Sequence, residues 1–157
     1  FGFKMKKLND EITRFLHKQN FTIISTVDKR GRLHNSCKGI VEIDQKGLIY
    51  LLDLYKARTY ENLGYNNNIS LTVVDEHKFK GYSLVGKAKI VKAGRLGTNI
   101  VKAWEKRITS RVTHRVLKNI RGEVGHKSHP EVLLPKPEYL IEMEVDAIVD
   151  LTPKALH

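Results

Sequence analysis

A strand pattern that runs into a helix pattern through a short polar corner, at residues 48–63, is the feature that most constrains the fold. Residues 48–52 read LIYLL directly after Gly47, and a β-branched, aromatic and aliphatic run of this length is typical of a buried strand. Residues 57–63 contain helix formers with apolar positions three apart, so that one helix face can pack. We therefore predict a strand, a corner and a helix whose first turn lies beside the end of the strand.

Cations stand in the first turn of this predicted helix, where they are unfavourable unless an anion is bound. The first backbone N–H groups of a helix lack internal partners, and the helix dipole is positive at this end. Lys56, Arg58 and Thr59 occupy this turn. A phosphate would accept hydrogen bonds from the free N–H groups, from the Thr59 hydroxyl and, bidentately, from Arg58. The corner is a candidate phosphate site; the alternative is a solvent-exposed helix start in a basic chain.

The periods of apolar residues elsewhere predict a small barrel. Helical spacing marks a first helix at about 5–19 and a long helix at about 96–121. Alternation marks further strands at 21–27, 34–43, 69–73, 82–91 and 139–151. Six strands, mostly antiparallel, with helices at the start, in the middle and before the last strand, predict a closed or nearly closed barrel.

The predicted strand at 34–43 is small and polar in its first half, which suits the close approach of a flat ligand to its backbone. Gly39 has no side chain to block such an approach. The alternative is an edge strand with a solvent-exposed face. Strict alternation places Asn35, Cys37, Gly39, Val41 and Ile43 on one face, and Ser36, Lys38, Ile40 and Glu42 on the other.

Charge and composition restrict the partners and the compartment. The chain has 157 residues, with 28 Lys and Arg against 17 Asp and Glu and a net charge of +11, which attracts phosphate ligands, nucleic acids and anionic surfaces alike. Its length predicts one domain over residues 1–157. One cysteine, no signal-peptide pattern and no apolar run long enough to span a bilayer predict a cytoplasmic protein without a membrane partner.

Two further patterns raise a nucleic acid and a metal as ligands. Basic residues form a stripe on the predicted helix at 96–121, namely Arg107, Arg111, His114, Lys118 and Arg121. Nucleic acid is not favoured, because such a face is usually solvated and the strands lack the interleaved aromatic residues of a base-stacking surface. His126 and His129, in a predicted loop at 122–137, lack a third ligand, so no metal is predicted.

Three segments resemble the FMN-binding split barrels related to pyridoxamine 5'-phosphate oxidase. They read ISTVDKRGRLHNSCKGIV, GLIYLLDLYKARTYENLGYNNNISLTVV and GYSLVGKAKIV, and they stand in the order in which that family has its first strands, its phosphate corner and its long returning strand. The resemblance covers about half of the chain, from Phe21 to about Val91. It implies an antiparallel six-stranded split β-barrel of the FMN-binding type, mainly β with helices, and FMN as the cofactor.

The resemblance also implies which residues hold the cofactor. In the family, the strand after the first turn lies along the isoalloxazine ring, and a Ser-Arg-Lys-like triplet, here Ala57, Arg58 and Thr59, holds the phosphate. Thr59 stands where the family's triplet has a lysine, and Lys56 restores that positive charge. Asp53 stands where many relatives have threonine. Relatives are homodimers with each flavin between subunits, so some contacts come from the partner. The full predicted set is Asn35, Ser36, Cys37, Lys38, Leu52, Asp53, Lys56, Ala57, Arg58, Thr59, Lys80 and Trp104.

The implied activity is that of an oxidoreductase which passes hydride or electrons between NADH or NADPH and a small acceptor. Lys38 or a backbone N–H would stabilise the negative charge that reduction places near the flavin pyrimidine. Vitamin B6 oxidation is not expected, because the C-terminal segment EYLIEMEVDAIVDLTP lacks the arginine that the true oxidases carry there. The alternatives are a deazaflavin- or haem-binding split barrel, a flavin-binding protein without turnover, and a basic barrel that binds nucleic acid.

Overall fold

The computed structural model describes residues 5–19, 21–53, 56–120 and 138–156. In these ranges the helices are α1 (Asp10–Lys18), α2 (Arg58–Tyr65) and α3 (Thr98–Ile120). The strands are β1 (Thr22–Val27), β2 (Leu33–Ile43), β3 (Ile49–Leu52), β4 (Asn68–Asp75), β5 (Lys80–Lys92) and β6 (Tyr139–Asp150). None of the helices described is both long enough and apolar enough to cross a membrane.

The six strands form one closed barrel in the order β1-β2-β3-β6-β5-β4, and β4 pairs back with β1. Every neighbouring pair is antiparallel. Closure gives nearly every strand a partner on both edges, which removes the free edges of an open sheet. The predicted fold class, a mainly β, antiparallel six-stranded barrel with helices, is confirmed.

Apolar side chains fill the barrel, and a second apolar cluster lies outside it under α3. On β6 the alternate residues Ile141, Met143 and Val145 are fully buried in the barrel core. Leu140, the residue before Ile141, faces the other way and packs with Trp104 of α3. Both faces of this part of β6 are therefore buried, which fixes α3 against the outside of the barrel.

The first helix begins later than predicted, at Asp10 rather than near residue 5. The side chain of Asn9 accepts a hydrogen bond from the Ile12 N–H at 2.8 Å and so caps the helix. Before the cap the chain is not helical, and the Lys6 N–H donates to the Val145 carbonyl at 2.6 Å. Leu8 is buried although it lies outside the helix. Because it is apolar and stands four residues before Ile12, it extended the helical pattern of the sequence.

The predicted facing of β2 is wrong in its second half, because the strand contains a bulge. Ile40 pairs with Leu51 and Glu42 pairs with Tyr50, so that Val41 is an extra residue on β2. Ile40 and Ile43 consequently both face the barrel core, whereas Val41 faces the cluster under α3. Strict alternation had placed Val41 and Ile43 on one face and Ile40 on the other.

Two of the sequence predictions fall outside the part of the chain that the structure describes. These are the loop at 122–137 with His126 and His129, and four side chains of the basic stripe, Arg111, His114, Lys118 and Arg121. That no metal is bound and that nucleic acid is not the favoured ligand therefore stay predictions from the sequence.

Gly86 lies where β5 shifts register against β6, and we expect Gly86→Ala to destabilise the barrel by at least about 2 kcal/mol. An added Cβ would lie 1.8 Å from the backbone carbonyl oxygen of Glu144, which cannot move without breaking the strand pair. Gly64→Ala is the control, because nothing lies within 4 Å of its Cβ position in α2, and a gain of about 0.5–1 kcal/mol is expected. Urea unfolding measures both, and equal stability of the two variants would contradict the assigned strand register.

Candidate functional site

The unequal lengths of β2 and β3 leave one strand edge unpaired. β2 has eleven residues and β3 has four. β1 pairs with β2 from Leu33 to Lys38, whereas β3 pairs with it only from Gly39 to Ile43. Residues 33–38 of β2, here called the open edge, therefore have a strand partner on one side only among the described residues. Alternate backbone N–H and C=O groups along this edge are free to bind another molecule.

Side chains on one face of the open edge reach the polar corner before α2. The Ser36 hydroxyl lies 2.9 Å from the Thr59 hydroxyl, and the Lys38 ammonium lies 2.7 Å from Asp53 Oδ1. These contacts join β2 to both ends of the corner and bring together four of the residues predicted from the sequence. The space between β2 and the corner is here called the groove.

Two other predicted residues of β2 lie on the opposite face of the strand. The side chain of Asn35 contacts the Ser25 hydroxyl of β1 at 2.6 Å, and Cys37 pairs opposite Ile23 and is exposed. The alternation predicted for this half of β2 is thus confirmed. Asn35 and Cys37 face the outside of the barrel and not the groove.

Asp53 forms the centre of a buried polar cluster at the end of β3. Its side chain is only 1% exposed, and Oδ2 accepts a hydrogen bond from the Tyr139 hydroxyl at 2.7 Å. The contact of Oδ1 with Lys38 is a close ion pair that does not also make a directed hydrogen bond, so Oδ1 has no hydrogen-bond donor in the described ranges. Burial, and then the bond to Asp53, raise the pKa of Tyr139 above its usual range.

The sequence did not identify Tyr139 as a site residue. It begins the clearest alternating strand, where a tyrosine is usually packing, and its partner Asp53 lies 86 residues earlier. A polar group at the end of that apolar strand was the only available signal. The ring of Tyr139 also meets the ring of Tyr60 edge-on, with centroids 4.9 Å apart, which connects the cluster to α2.

The start of α2 lacks a side-chain cap and carries one cation in its first turn, Arg58; the prediction that Lys56 also lies in this turn is wrong, because the helix begins after the N-cap Ala57 and Lys56 precedes it. Ala57 is the N-cap residue and makes no side-chain hydrogen bond to the helix, so the first N–H groups lack the usual side-chain acceptor. Arg58 is exposed and makes no ion pair with any described residue. Lys56 lies over the Tyr60 ring, 4.6 Å from its centroid. The start of α2 thus combines the cations Arg58 and Lys56 and free N–H donors with one acidic side chain in its first turn, Glu61.

A polar cavity of about 460 Å³ adjoins this turn, between α2 and the β1–β2 hairpin. Asn62 holds α2 against β1 by donating to the buried Thr26 hydroxyl at 3.0 Å. Across the cavity, the backbone N–H of Arg32 donates to Asp28 and holds the pKa of that carboxyl below its usual value. The residues that line the cavity are Asp28, Arg32, Leu33, His34, Arg58, Glu61 and Asn62.

Three predicted residues lie away from the groove. The side chains of Leu52 and Trp104 pack in the apolar cluster under α3, on the other side of β3 from Asp53. Lys80 pairs with Glu11 of α1 at 2.5 Å. The groove is thus formed by β2, the corner and the start of α2.

Tyr139→Phe is expected to lower the free energy of unfolding by about 1–3 kcal/mol, because it leaves the buried Asp53 Oδ2 without its donor. Tyr60→Phe is a matched control: it removes a hydroxyl that has no hydrogen bond to any described residue, and a change within about 0.5 kcal/mol is expected. Denaturant unfolding measures both. Equal effects of the two changes would mean that the Tyr139 hydroxyl does not hold Asp53.

Solved structures of several proteins share this fold. HupZ from Group A Streptococcus is 19% identical to this chain, with a TM-score of 0.66 over 92% of this chain and 94% of that chain. HutZ, the heme storage protein from Vibrio cholerae, is 21% identical, with a TM-score of 0.54 over 92% and 94%. An F420 reductase is 12% identical, with a TM-score of 0.55 over 90% and 98%. At these identities the similarity establishes the fold alone.

Similarity at the level of sequence identifies the family. Among curated proteins, none is significantly similar to this chain. The sequence model of the pyridoxamine 5'-phosphate oxidase family, however, matches residues 8–135, which include β1 to β5, the corner and α2. This match spans well over half of the chain, and the protein therefore belongs to the pyridoxamine 5'-phosphate oxidase family.

Proposed function

We propose that this protein binds FMN in the groove and uses it as a cytoplasmic oxidoreductase, with NADH or NADPH as donor and a small acceptor. The observation that carries the proposal is the contact between Ser36 of β2 and Thr59 of α2. It brings an unpaired strand edge, which suits a flat heterocycle, next to an uncapped, cationic helix start, which suits a phosphate. FMN carries both of these groups in one molecule.

The donors at the start of α2 match the phosphate of FMN. A phosphate monoester carries a charge of about −1.5 to −2 at neutral pH and accepts several hydrogen bonds. Arg58 offers a bidentate fork, the Ser36 and Thr59 hydroxyls offer two more donors, and Lys56 adds charge. The free N–H groups of α2 complete the set. The residues present therefore fit the group.

The open edge of β2 matches the ring. The pyrimidine side of a flavin has carbonyl and N–H groups along one edge, which can pair with the backbone groups of a strand that lacks a neighbour. Bound there, the flavin supplies the two-electron chemistry. The chain's own contribution is to orient the ring along β2, to fix the phosphate with Arg58, and to place the Lys38 ammonium where negative charge develops.

Haem and deazaflavin are the rival ligands, because one structural neighbour is named a heme storage protein and another an F420 reductase. The cationic and hydroxyl donors beside a helix start favour a phosphate ester over a porphyrin. Purification and spectroscopy separate the three. We expect flavin absorbance that is released on heating as FMN, or uptake of added FMN by colourless protein. A protein that takes up haem or F420 but not FMN would refute the proposal.

Arg58→Ala is expected to weaken FMN binding by at least tenfold, since a charge-assisted pair is worth about 1.5–3 kcal/mol. Arg30→Ala removes the same charge from the exposed β1–β2 turn and is the control, with an expected change below twofold. Fluorescence quenching of FMN during titration measures both constants. Equal affinity of the Arg58→Ala variant and the unmodified protein would exclude the corner as the phosphate site.

We also propose that the protein is a homodimer, built on a face of the barrel that lacks charge. Two rows of residues cross five strands on the outside of the barrel, and residues opposite each other in a register share a face. The rows are Asn35, Ser25, Ser70, Val85 and Ala147, and Cys37, Ile23, Thr72, Ser83 and Val149. None of the ten is charged, although 29% of the chain's residues are.

Depletion of charge is characteristic of the centre of a protein interface. Ile23, Val85 and Val149 are each more than a third exposed on this uncharged face. Asn35 and Cys37 lie at its end on β2, the strand that also bounds the groove. A second copy docked here would reach the groove, in agreement with a ligand held between two subunits.

Val85→Lys, near the centre of the uncharged face, is expected to convert the dimer to a monomer. A two-fold interface contains each residue twice, so two new ammonium groups would be buried in it. Phe79→Lys is the control: Phe79 is 69% exposed but lies in the β4–β5 turn, away from the face. Sedimentation velocity measures the mass of each variant. A dimeric Val85→Lys variant would place the interface elsewhere.

A further inference from the structure

We propose that Lys38 and Asp53 act as opposed charges that set the reduction potential of the flavin, with Lys38 raising it and Asp53 lowering it. The inference rests on the proposed function, because it concerns the same groove. It assigns to Asp53 a role that the phosphate contacts do not require.

The two charges lie side by side at the boundary between the barrel core and the groove. Lys38 Nζ is 2.7 Å from Asp53 Oδ1, and the two side chains are 13% and 1% exposed. Lys38 is the last residue of the open edge, and Asp53 follows the last residue of β3. A ring that lies along the open edge would therefore have both charges beside it, with the ammonium nearer to solvent.

The carboxylate is held in place by a group that has no other hydrogen-bond partner among the described residues. The Tyr139 hydroxyl donates to Asp53 Oδ2 at 2.7 Å, and Tyr139 is itself fixed by its edge-on contact with Tyr60. Lys38 therefore cannot draw Asp53 out toward solvent without breaking a buried hydrogen bond. The negative charge stays at one place, and the ammonium pairs with it there.

A role in stability alone does not account for this pair. Buried ion pairs seldom stabilise a fold more than apolar residues of the same volume would, because desolvation offsets their attraction. This pair also lies beside the open edge, with Lys38 as its last residue, and not within the apolar core. Its charges act strongly on a neighbouring ring, because burial limits the screening that water provides to exposed charges.

Together the two groups are close to neutral, so that removing either one leaves a net charge of opposite sign at nearly the same place. Reduced flavin carries more negative charge than oxidised flavin, and it is favoured by a nearby cation and disfavoured by a nearby anion. Lys38→Met should therefore lower the potential, and Asp53→Asn should raise it. The double variant should lie close to the unmodified protein.

Dye-equilibrated reduction of the FMN-loaded protein tests these signs. We expect Lys38→Met to weaken binding of reduced FMN relative to oxidised FMN by at least tenfold, which is about 30 mV for a two-electron couple, and Asp53→Asn to strengthen it by a similar factor. The Asn side chain can still accept from Tyr139. Lys29→Met, which removes an exposed cation over Tyr65, is the control and should change the ratio by less than threefold.

Removing Lys38 alone leaves a buried carboxylate unpaired and can prevent folding. In that case the Asp53→Asn variant is compared with the double variant, which measures the same loss of the ammonium in a background without the carboxylate. Shifts of the same sign, or both below threefold, in proteins that still bind FMN would overturn this inference and leave the flavin site intact. Failure of the unmodified protein to bind FMN would instead overturn the proposed function, and this inference with it.

Discussion

The short length of β3 is the constraint on which the rest of the site depends. A barrel of six strands of equal length would pair every backbone group along its sides and offer no edge to a ligand. Here β3 ends at Leu52, after four residues, while β2 opposite it continues toward the hairpin. Asp53, directly after β3, and Thr59, in the first turn of α2, contact Lys38 and Ser36 of the unpaired edge. The early end of β3 therefore both leaves β2 unpaired and places polar side chains beside it.

The contacts across the corner differ in kind, and this difference assigns them different roles. The Ser36–Thr59 contact joins two hydroxyls that can each rotate to a new acceptor. It can open toward a ligand at little cost. The contacts of Asp53 are buried and charged, and their loss leaves groups without water or partners. The start of α2 is thus adaptable, whereas the end of β3 is fixed.

The sequence predicts the strands and helices well where a local period is long and regular, as in β6 and α3. It also identifies the corner, because cations at a helix start are unusual and can be recognised from the local sequence alone.

The sequence cannot predict features that depend on strand pairing. The bulge at Val41 inverts the facing of the next residues through a single extra position opposite β3. The partner of Asp53 lies 86 residues along the chain, and nothing local at Tyr139 distinguishes a hydrogen-bonding tyrosine from a packing one. The start of α1 was missed for the reverse reason, since the cap at Asn9 is a local signal that an apolar residue outside the helix, Leu8, obscured.

The open edge also bears on the behaviour of the protein without a ligand. A row of unpaired backbone groups is a template on which an extended segment of another chain can add itself as a strand. Among the described strands, β2 presents such a row over residues 33–38, which begins with the exposed Leu33 directly after the β1–β2 turn. Several basic residues near this turn, such as Lys29 and Arg30, repel identical copies and oppose such addition. A molecule bound along this edge would occupy these backbone groups and remove the template, so that ligand binding would oppose strand addition in the same sense as the charges do.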